Sequence, residues 1–116
     1  MKVMHYSKAE MKFFNTDSVK NVTGRVLIGK VDGAKNFCMR MFELAKDGYS
    51  PKHSHEWEHE IFFHSGMGKV LCEDKWIDVK QGDVLFIPEN EEHQIKNTEN
   101  EPLMFICLIP SGVPEL

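Results

Sequence analysis

The sequence lacks any long hydrophobic run. Its amino-terminal stretch, MKVMHYSKAEMKFF, is interrupted by Lys8, Glu10 and Lys12. A secretion signal or a membrane span needs a continuous apolar segment, so this stretch predicts neither. We therefore expect a cytoplasmic protein that has no membrane partner.

Cysteines are few, and their spacing suggests no pairing. Cys38, Cys72 and Cys107 are an odd number, lie far apart, and include no CxxC pair. This arrangement argues against both a disulfide framework and a zinc ribbon. Three unpaired thiols are typical of a protein in a reducing compartment.

The sequence also lacks a concentration of positive charge. It has 14 Lys and Arg residues against 18 Asp and Glu residues, for a formal net charge of −4, and no run rich in Lys or Arg. Binding to a phosphate backbone requires a basic face, so we expect no nucleic-acid partner. With 116 residues, of which 41% are hydrophobic and 28% charged, the chain has the size and composition of one globular domain.

What the sequence does contain is a series of short predicted strands. Turn signals such as Asp32-Gly33, Asp47-Gly48 and Gln81-Gly82 recur at short intervals. Between them lie eight runs rich in β-branched and aromatic residues, at 24–31, 36–44, 60–65, 68–73, 75–80, 83–88, 92–97 and 103–110. No window long enough for a helix has a clear apolar period of 3.6 residues. The sequence therefore predicts an all-β fold, a closed sandwich or barrel.

Four of the six histidines fall within HSHEWEHEIFFH, residues 53 to 64. On an extended segment, His53 and His55 face the same side, and His59 follows at another even step. Strict alternation would turn Glu60 to the opposite face. The segment 56–58 can bulge, however, so the register at His59 and Glu60 stays open.

A fourth histidine of interest, His93, lies in PENEEHQIKN, shortly after Pro88. A strand that returns after this proline could bring His93 beside the first cluster. Four neutral imidazoles suit a borderline transition metal. We interpret His5 and His64, which lie outside this pattern, as solvent-exposed or capping residues.

Two spaced motifs resemble those of the cupin superfamily. The first, GYSPKHSHEWEHEIFFHSG at 48–66, keeps the core spacing of the first cupin motif, with each glycine interval one residue shorter. The second, GDVLFIPENEEHQIKN at 82–97, matches in spacing throughout. It departs only at Asn90, where the family has glycine, and asparagine is the other residue that best tolerates a positive φ.

The resemblance, which spans roughly residues 25 to 113, implies a cupin jelly-roll barrel that holds a metal in one mouth. The form HxHxWEHE followed by IFF, together with the ending FICLIP, is similar to the small single-domain tetra-histidine manganese cupins. This likeness makes ligands of His53, His55 and His93. The remaining ligand is Glu60, as in the commonest cupins, or His59, as in the tetra-histidine group. We favour His59, because alternation places it on the face of His53 and His55.

The metal itself is a divalent transition metal, and the resemblance indicates manganese. Iron, nickel, zinc and copper stay open, because a tetra-imidazole site binds the later metals of the first row more tightly. Three further residues are pocket candidates: Arg40, Phe105 and Cys107. If the face of Cys38 and Arg40 lines the barrel, Arg40 is a cation suited to a substrate carboxylate or enolate. No catalytic residue is assigned.

The predicted function is that of a metal-dependent oxidoreductase, dioxygenase-like or peroxide-using, that acts on a small organic substrate. Two alternatives stay open: a non-enzymatic cupin that binds a small ligand, and a metal-dependent isomerase or lyase. We divide the chain into an amino-terminal arm, residues 1–24, and a cupin barrel, residues 25–116. Because small cupins often pair, we expect a homodimer in which the arm covers an edge strand of the neighbour.

Overall fold

The computed structural model describes all residues from 1 to 116, and almost all of the regular secondary structure consists of strands. Two single 3₁₀ turns, Tyr6–Lys8 and Lys30–Asp32, are its only helical segments. The strands are β1 (Lys12–Phe14), β2 (Lys20–Ile28), β3 (Phe37–Tyr49), β4 (His59–Ser65), β5 (Met67–Cys72), β6 (Lys75–Lys80), β7 (Val84–Ile87), β8 (His93–Asn97) and β9 (Leu103–Pro110). The all-β prediction is therefore confirmed. No helix in the chain has the length and apolar character that a membrane crossing demands.

All strand pairs are antiparallel, and together they form one curled sheet. The hydrogen-bonded order is β6-β5-β8-β3-β9-β4-β7, and β2 adds to β3 while β1 adds to β2. Such a sheet, curled until its inner face encloses a core, is a jelly-roll barrel. Each strand alternates between an inner and an outer face, so one side chain in two points into the barrel.

The β3 strand is longer than the sequence predicted. The apolar run ends at residue 44 and the Asp47-Gly48 signal predicts a turn, yet the strand continues to Tyr49. The pairing with β2 jumps from Val22↔Leu44 to Lys20↔Tyr49, so the extra β3 residues form a bulge. Asp47 adopts a φ of +63° there. The turn signal thus marks a bulge inside a strand, and the strand resumes because β2 and β8 still pair with it.

The barrel interior is lined by buried side chains from β3, β4 and β9. Phe63, Leu44 and Leu103 are fully buried, and the Phe63 ring centre lies 5.4 Å from that of Phe105. Along β9 every second residue is buried, from Leu103 to Ile109. Several of these core residues, among them Leu44 and Phe105, also line a pocket, so the pocket opens directly onto the apolar core.

The predicted boundary between arm and barrel falls inside β2, which runs from Lys20 to Ile28. Within the chain, β1 pairs with β2, and the Arg25 guanidinium donates to the Ala9 carbonyl at 2.6 Å. The first residues are thus attached to the edge of the sheet through β2, and Phe14 packs against the core. The division at residue 24 stays a prediction.

Candidate metal centre

Four histidines come together at the open end of the barrel, from three separate parts of the chain. His53 and His93 pair through an isolated antiparallel bridge, in which each backbone N–H donates to the other's carbonyl, at 3.2 and 2.9 Å. His59 is the first residue of β4 and His93 the first of β8. His55 lies on the loop that precedes β4, stacked on Trp57 with ring centres 4.2 Å apart.

The convergence agrees with the sequence prediction, but its physical origin differs. The sequence prediction places His53, His55 and His59 together by alternation along one strand. In the structure only His59 lies in a strand, and the segment from 54 to 58 is a loop with a bend at Glu56 and Trp57. Asn90 holds this loop, since its backbone N–H donates to the His55 carbonyl at 2.7 Å. The φ angle of Asn90 is +64°, as its place in the motif predicts.

The imidazole rings face one another closely. Ring-centre distances are 4.8 Å for His53–His55 and His53–His93, 4.6 Å for His55–His59, and 5.1 Å for His55–His93 and His59–His93. The ligand atoms of His53, His55 and His93 all lie within 4.8 Å of one another. The Nε2 atoms of His55 and His59 are 2.9 Å apart.

Backbone carbonyls determine which ring nitrogen carries the proton in two of the four histidines. The Nδ1 atom of His55 lies 3.2 Å from the Trp57 carbonyl oxygen, and that of His93 lies 2.9 Å from the Glu91 carbonyl oxygen. A carbonyl only accepts, so each Nδ1 carries the hydrogen and donates. The Nε2 lone pairs of His55 and His93 are then free to face the cluster, as metal ligation requires.

His59 differs from His55 and His93, because its Nδ1 atom contacts side chains and not a backbone carbonyl. It lies 3.2 Å from the Cys107 sulfur and 3.4 Å from Nη2 of Arg40. A guanidinium has no acceptor, so the sulfur alone can accept a hydrogen from this nitrogen. When His59 presents an Nε2 lone pair to the cluster, Cys107 is therefore the residue that receives its Nδ1–H.

Burial keeps these imidazoles uncharged. Burial and the neighbouring His93 lower the pKa of His53 to about 4, and burial and the charge of Arg40 lower the pKa of His59 to about 3. Burial also lowers the pKa of His55 and of His93. All four rings are neutral near pH 7, which is the form that binds metals.

The donor set fits a divalent transition metal. Two imidazole nitrogens bound side by side at about 2.1 Å to one ion stand about 3 Å apart. The Nε2 atoms of His55 and His59 are 2.9 Å apart, which agrees with this spacing. Neutral imidazole is a ligand preferred by transition metals rather than by calcium or magnesium.

The structure leaves the remaining histidines and Glu60 outside this cluster. Glu60 is exposed on the outer face of β4, where it lies among Phe62, Phe86 and other apolar side chains. His64 lies further along β4, and its Nε2 atom is buried without a hydrogen-bond partner. His5 is exposed and caps the first 3₁₀ turn. The residues that converge are thus His53, His55, His59 and His93.

A pocket of about 300 Å³ extends from the histidines into the barrel. The three pocket candidates, Arg40, Phe105 and Cys107, all line it. Arg40 and Cys107 are cross-strand partners on β3 and β9, and Nη2 of Arg40 lies 3.0 Å from the Cys107 sulfur. Among the lining residues that the sequence missed are Phe14 and Leu116, because nothing in a local pattern indicates that these two distant segments meet here.

Comparisons with known proteins agree with this architecture. A family model described as Cupin domain (Cupin_2) matches residues 40–109. The polyketide cyclase RemF from Streptomyces resistomycificus is 31% identical, with a TM-score of 0.90 over 98% of this chain and 82% of RemF. A predicted oxalate decarboxylase from Thermotoga maritima is 27% identical, with a TM-score of 0.83 over 95% of this chain and 99% of its own.

Sequence likeness to curated proteins is confined to shorter segments. The oxalate-binding protein of Thermotoga maritima is 40% identical over 58 residues, which are 49% of this chain and 48% of that protein. The matched part of this chain spans about half the length of the curated relatives.

Proposed function

This chain belongs to the cupin domain family, and from that premise we propose that it is a metal-dependent oxidoreductase that acts on a small organic substrate with oxygen or peroxide. The observation that carries the proposal is the chemistry of the pocket lining. Four neutral imidazoles are present, but no carboxylate, amine or phenol side chain lines the pocket.

In this proposal His53, His55, His59 and His93 hold the metal. Manganese is our first choice from the resemblance to tetra-histidine cupins, and iron, nickel, zinc and copper also suit imidazole ligands. The bound ion supplies Lewis acidity and, except for zinc, redox activity. Because all four ligands are neutral, the charge of the ion is not compensated by the protein, which favours substrates that bind through oxygen atoms.

The other pocket residues bind and shield the substrate. Trp57, Ile61 and Ile87 form apolar walls that exclude water. Apart from the histidines, the only titratable side chains in the lining are Arg40 and Cys107. Arginine cannot accept a proton, and burial raises the pKa of the Cys107 thiol, so neither acts as a base near pH 7. Chemistry that depends on a separate base is therefore disfavoured relative to oxidation.

A second candidate is metal-assisted carbonyl chemistry without redox change, as in a lyase, isomerase or cyclase. It is favoured by the likeness to the polyketide cyclase RemF, which extends over 98% of this chain. In this case the four histidines would hold the metal, which would supply Lewis acidity toward a substrate carbonyl. A water molecule would take the proton, because a neutral imidazole bound to the metal has no free lone pair.

Loading the protein in parallel with manganese and with redox-inert zinc distinguishes these candidates. The substrates are chelating oxygen donors, such as catechols and 1,3-dicarbonyl compounds, and oxygen or peroxide consumption is recorded together with product mass. We expect consumption only with the manganese form, and none in a His93→Ala control. Turnover by the zinc form without oxygen would instead support the cyclase or isomerase. Binding without turnover in both forms would support a non-enzymatic role.

An apolar stripe on the outer face of the sheet supports the proposal of a homodimer. Phe62, Val84 and Phe86 are 46%, 79% and 57% exposed, although all three lie in strands. Strand register places Phe62 beside both Val84 and Ile106, so the stripe is continuous across β7, β4 and β9. Contiguous exposed apolar patches mark interaction sites. A second copy related by a two-fold axis offers an equally apolar face of the same shape, and we propose it as the occupant.

We expect Phe86→Glu to convert this dimer into a monomer, because each copy would carry a new charge in the middle of the contact. Light scattering coupled to size-exclusion chromatography measures the change. Val31→Glu is the matched control, since Val31 is 86% exposed but lies in the second 3₁₀ turn, away from the stripe. A wild-type protein that is already monomeric would contradict the proposal.

A further inference from the structure

Arg40 is a buried cation that has no acidic partner. It is only 8% exposed. The ion pairs of the structure, Lys2–Asp32, Lys52–Glu92 and Lys69–Asp78, do not include it. An isolated buried charge is strongly unfavourable unless a negative group compensates it.

The contacts that the Arg40 guanidinium makes in the structure compensate its positive charge only weakly. Nη2 donates to the Cys107 sulfur at 3.0 Å, Nη1 donates to the Glu115 backbone carbonyl at 3.3 Å, and Nε is buried without a partner. The Glu115 carboxylate accepts instead from the Lys30 backbone N–H, at 2.9 Å. Sulfur is a poor acceptor and a carbonyl carries no charge, so hydrogen-bonding capacity and positive charge both remain for a ligand.

The Arg40 guanidinium lies between the polar histidine cluster and the apolar part of the pocket. On one side, Nη2 of Arg40 is 3.4 Å from Nδ1 of His59. On the other, the guanidinium carbon is 4.9 Å from the centre of the Phe42 ring, which in turn is 5.6 Å from that of Phe105. The lining also contains the apolar side chains of Phe14, Val19, Leu44, Pro114 and Leu116.

The apolar part depends on Gly24 of β2. A Cβ atom at this position would lie 3.0 Å from the Phe42 ring, 3.2 Å from the Leu116 side chain and 3.3 Å from the Phe14 ring. Glycine therefore lets three large apolar side chains, from three distant parts of the chain, close around one space. This wall has hydrocarbon character and offers nothing to a small, fully polar ligand.

We propose that the pocket binds a small amphiphilic anion, an aromatic or branched aliphatic carboxylate, with its carboxylate at Arg40 and its hydrocarbon part against Phe14, Phe42 and Phe105. The inference rests on the proposed function in one respect, since it names the substrate class of the same site. The planar guanidinium suits a carboxylate because it can donate two parallel hydrogen bonds. The cavity of about 300 Å³ limits the ligand to a small molecule.

Calorimetric titration of the whole, metal-free chain with matched ligands tests this inference. The probes are 3-phenylpropionate, its neutral amide of the same shape, and oxalate, which has charge but no hydrocarbon. We expect the phenyl acid to bind at least roughly tenfold more tightly than either of the others, because a charge-assisted hydrogen bond and apolar burial both contribute. This comparison uses the wild type and does not depend on any variant folding.

Variants then assign the effect to Arg40. Arg40→Gln should weaken binding of the acid roughly 10- to 100-fold and leave binding of the amide unchanged, and Arg40→Lys should restore part of the loss. Arg25→Gln is the matched control, because its guanidinium holds the Ser7 and Ala9 carbonyls outside the pocket. Circular dichroism checks that each variant is folded.

Three results would overturn the inference: equal affinity for acid and amide, tighter binding of oxalate, or unchanged binding of the acid by folded Arg40→Gln. Because no metal is present in these titrations, they do not depend on redox activity. The oxidoreductase proposal can fail in the oxygen assay while this inference holds, and the converse outcome is equally distinguishable.

Discussion

Replacing His59 by alanine is expected to remove most of the manganese that the wild-type protein retains, whereas Glu60→Ala retains it. Nε2 of His59 lies 2.9 Å from that of His55 inside the cluster, and Glu60 is exposed on the opposite face of β4. Loss of a residue that only supports a ligand lowers metal affinity by roughly 10- to 100-fold, so loss of a ligand should exceed this. Elemental analysis after manganese loading and dialysis measures the bound metal.

His64→Ala is the matched control for this experiment. His64 lies on the same strand and is also a histidine, but it stands outside the cluster, so its removal should leave the metal content unchanged. Loss of metal from Glu60→Ala but not from His59→Ala would mean a shell of three histidines and a glutamate. Absence of metal from the loaded wild type would refute the metal proposal altogether.

Gly66→Ala is expected to lower the free energy of unfolding by roughly 2–5 kcal/mol. Gly66 ends the first cupin motif, has a φ of +88°, and connects β4 to β5. A Cβ atom there would overlap the Pro102 carbonyl oxygen and lie 2.8 Å from Cα of Leu103. The left-handed backbone costs an alanine about 1–2 kcal/mol, and the overlap with another backbone segment adds about 1–3 kcal/mol.

Gly82→Ala separates these two contributions. Gly82, which begins the second motif, has a φ of +94°, but nothing lies within 4 Å of a Cβ atom placed there. Its replacement should lower the free energy of unfolding by only about 1–2 kcal/mol. Urea unfolding followed by tryptophan fluorescence measures both variants. Equal losses of unfolding free energy would show that overlap with the Pro102 carbonyl adds nothing to the cost of Gly66→Ala.

The two motif glycines illustrate what can be read from sequence. The positive φ at Gly66, Gly82 and Asn90 follows from residue type and spacing, because few residues adopt this conformation without strain. The close contact at Gly66 does not, because Pro102 lies 36 positions further along the chain. A glycine signal therefore locates a turn but does not say what packs against it.

The candidate metal centre likewise has features that the sequence indicates and features that only the structure reveals. The four histidines and their motif spacing are enough to indicate a shared site. The sequence does not reveal that His55 lies on a loop stacked on Trp57, or that the Cys107 sulfur lies 3.2 Å from Nδ1 of His59. These contacts depend on how the 54–58 loop and β9 meet, and alternation along one strand carries no information about either.

By itself, the sequence determined the all-β class, because strand periodicity and turn chemistry act over a few residues. Its two spaced motifs carry the cupin resemblance, and that resemblance, together with ligand chemistry, indicates which histidines share a site. Only the tertiary structure decided that Arg40 is buried without an acidic partner and that Phe14 and Leu116 close the pocket. The physical reason is that burial and charge compensation depend on residues far apart in the chain, which meet only when the sheet curls.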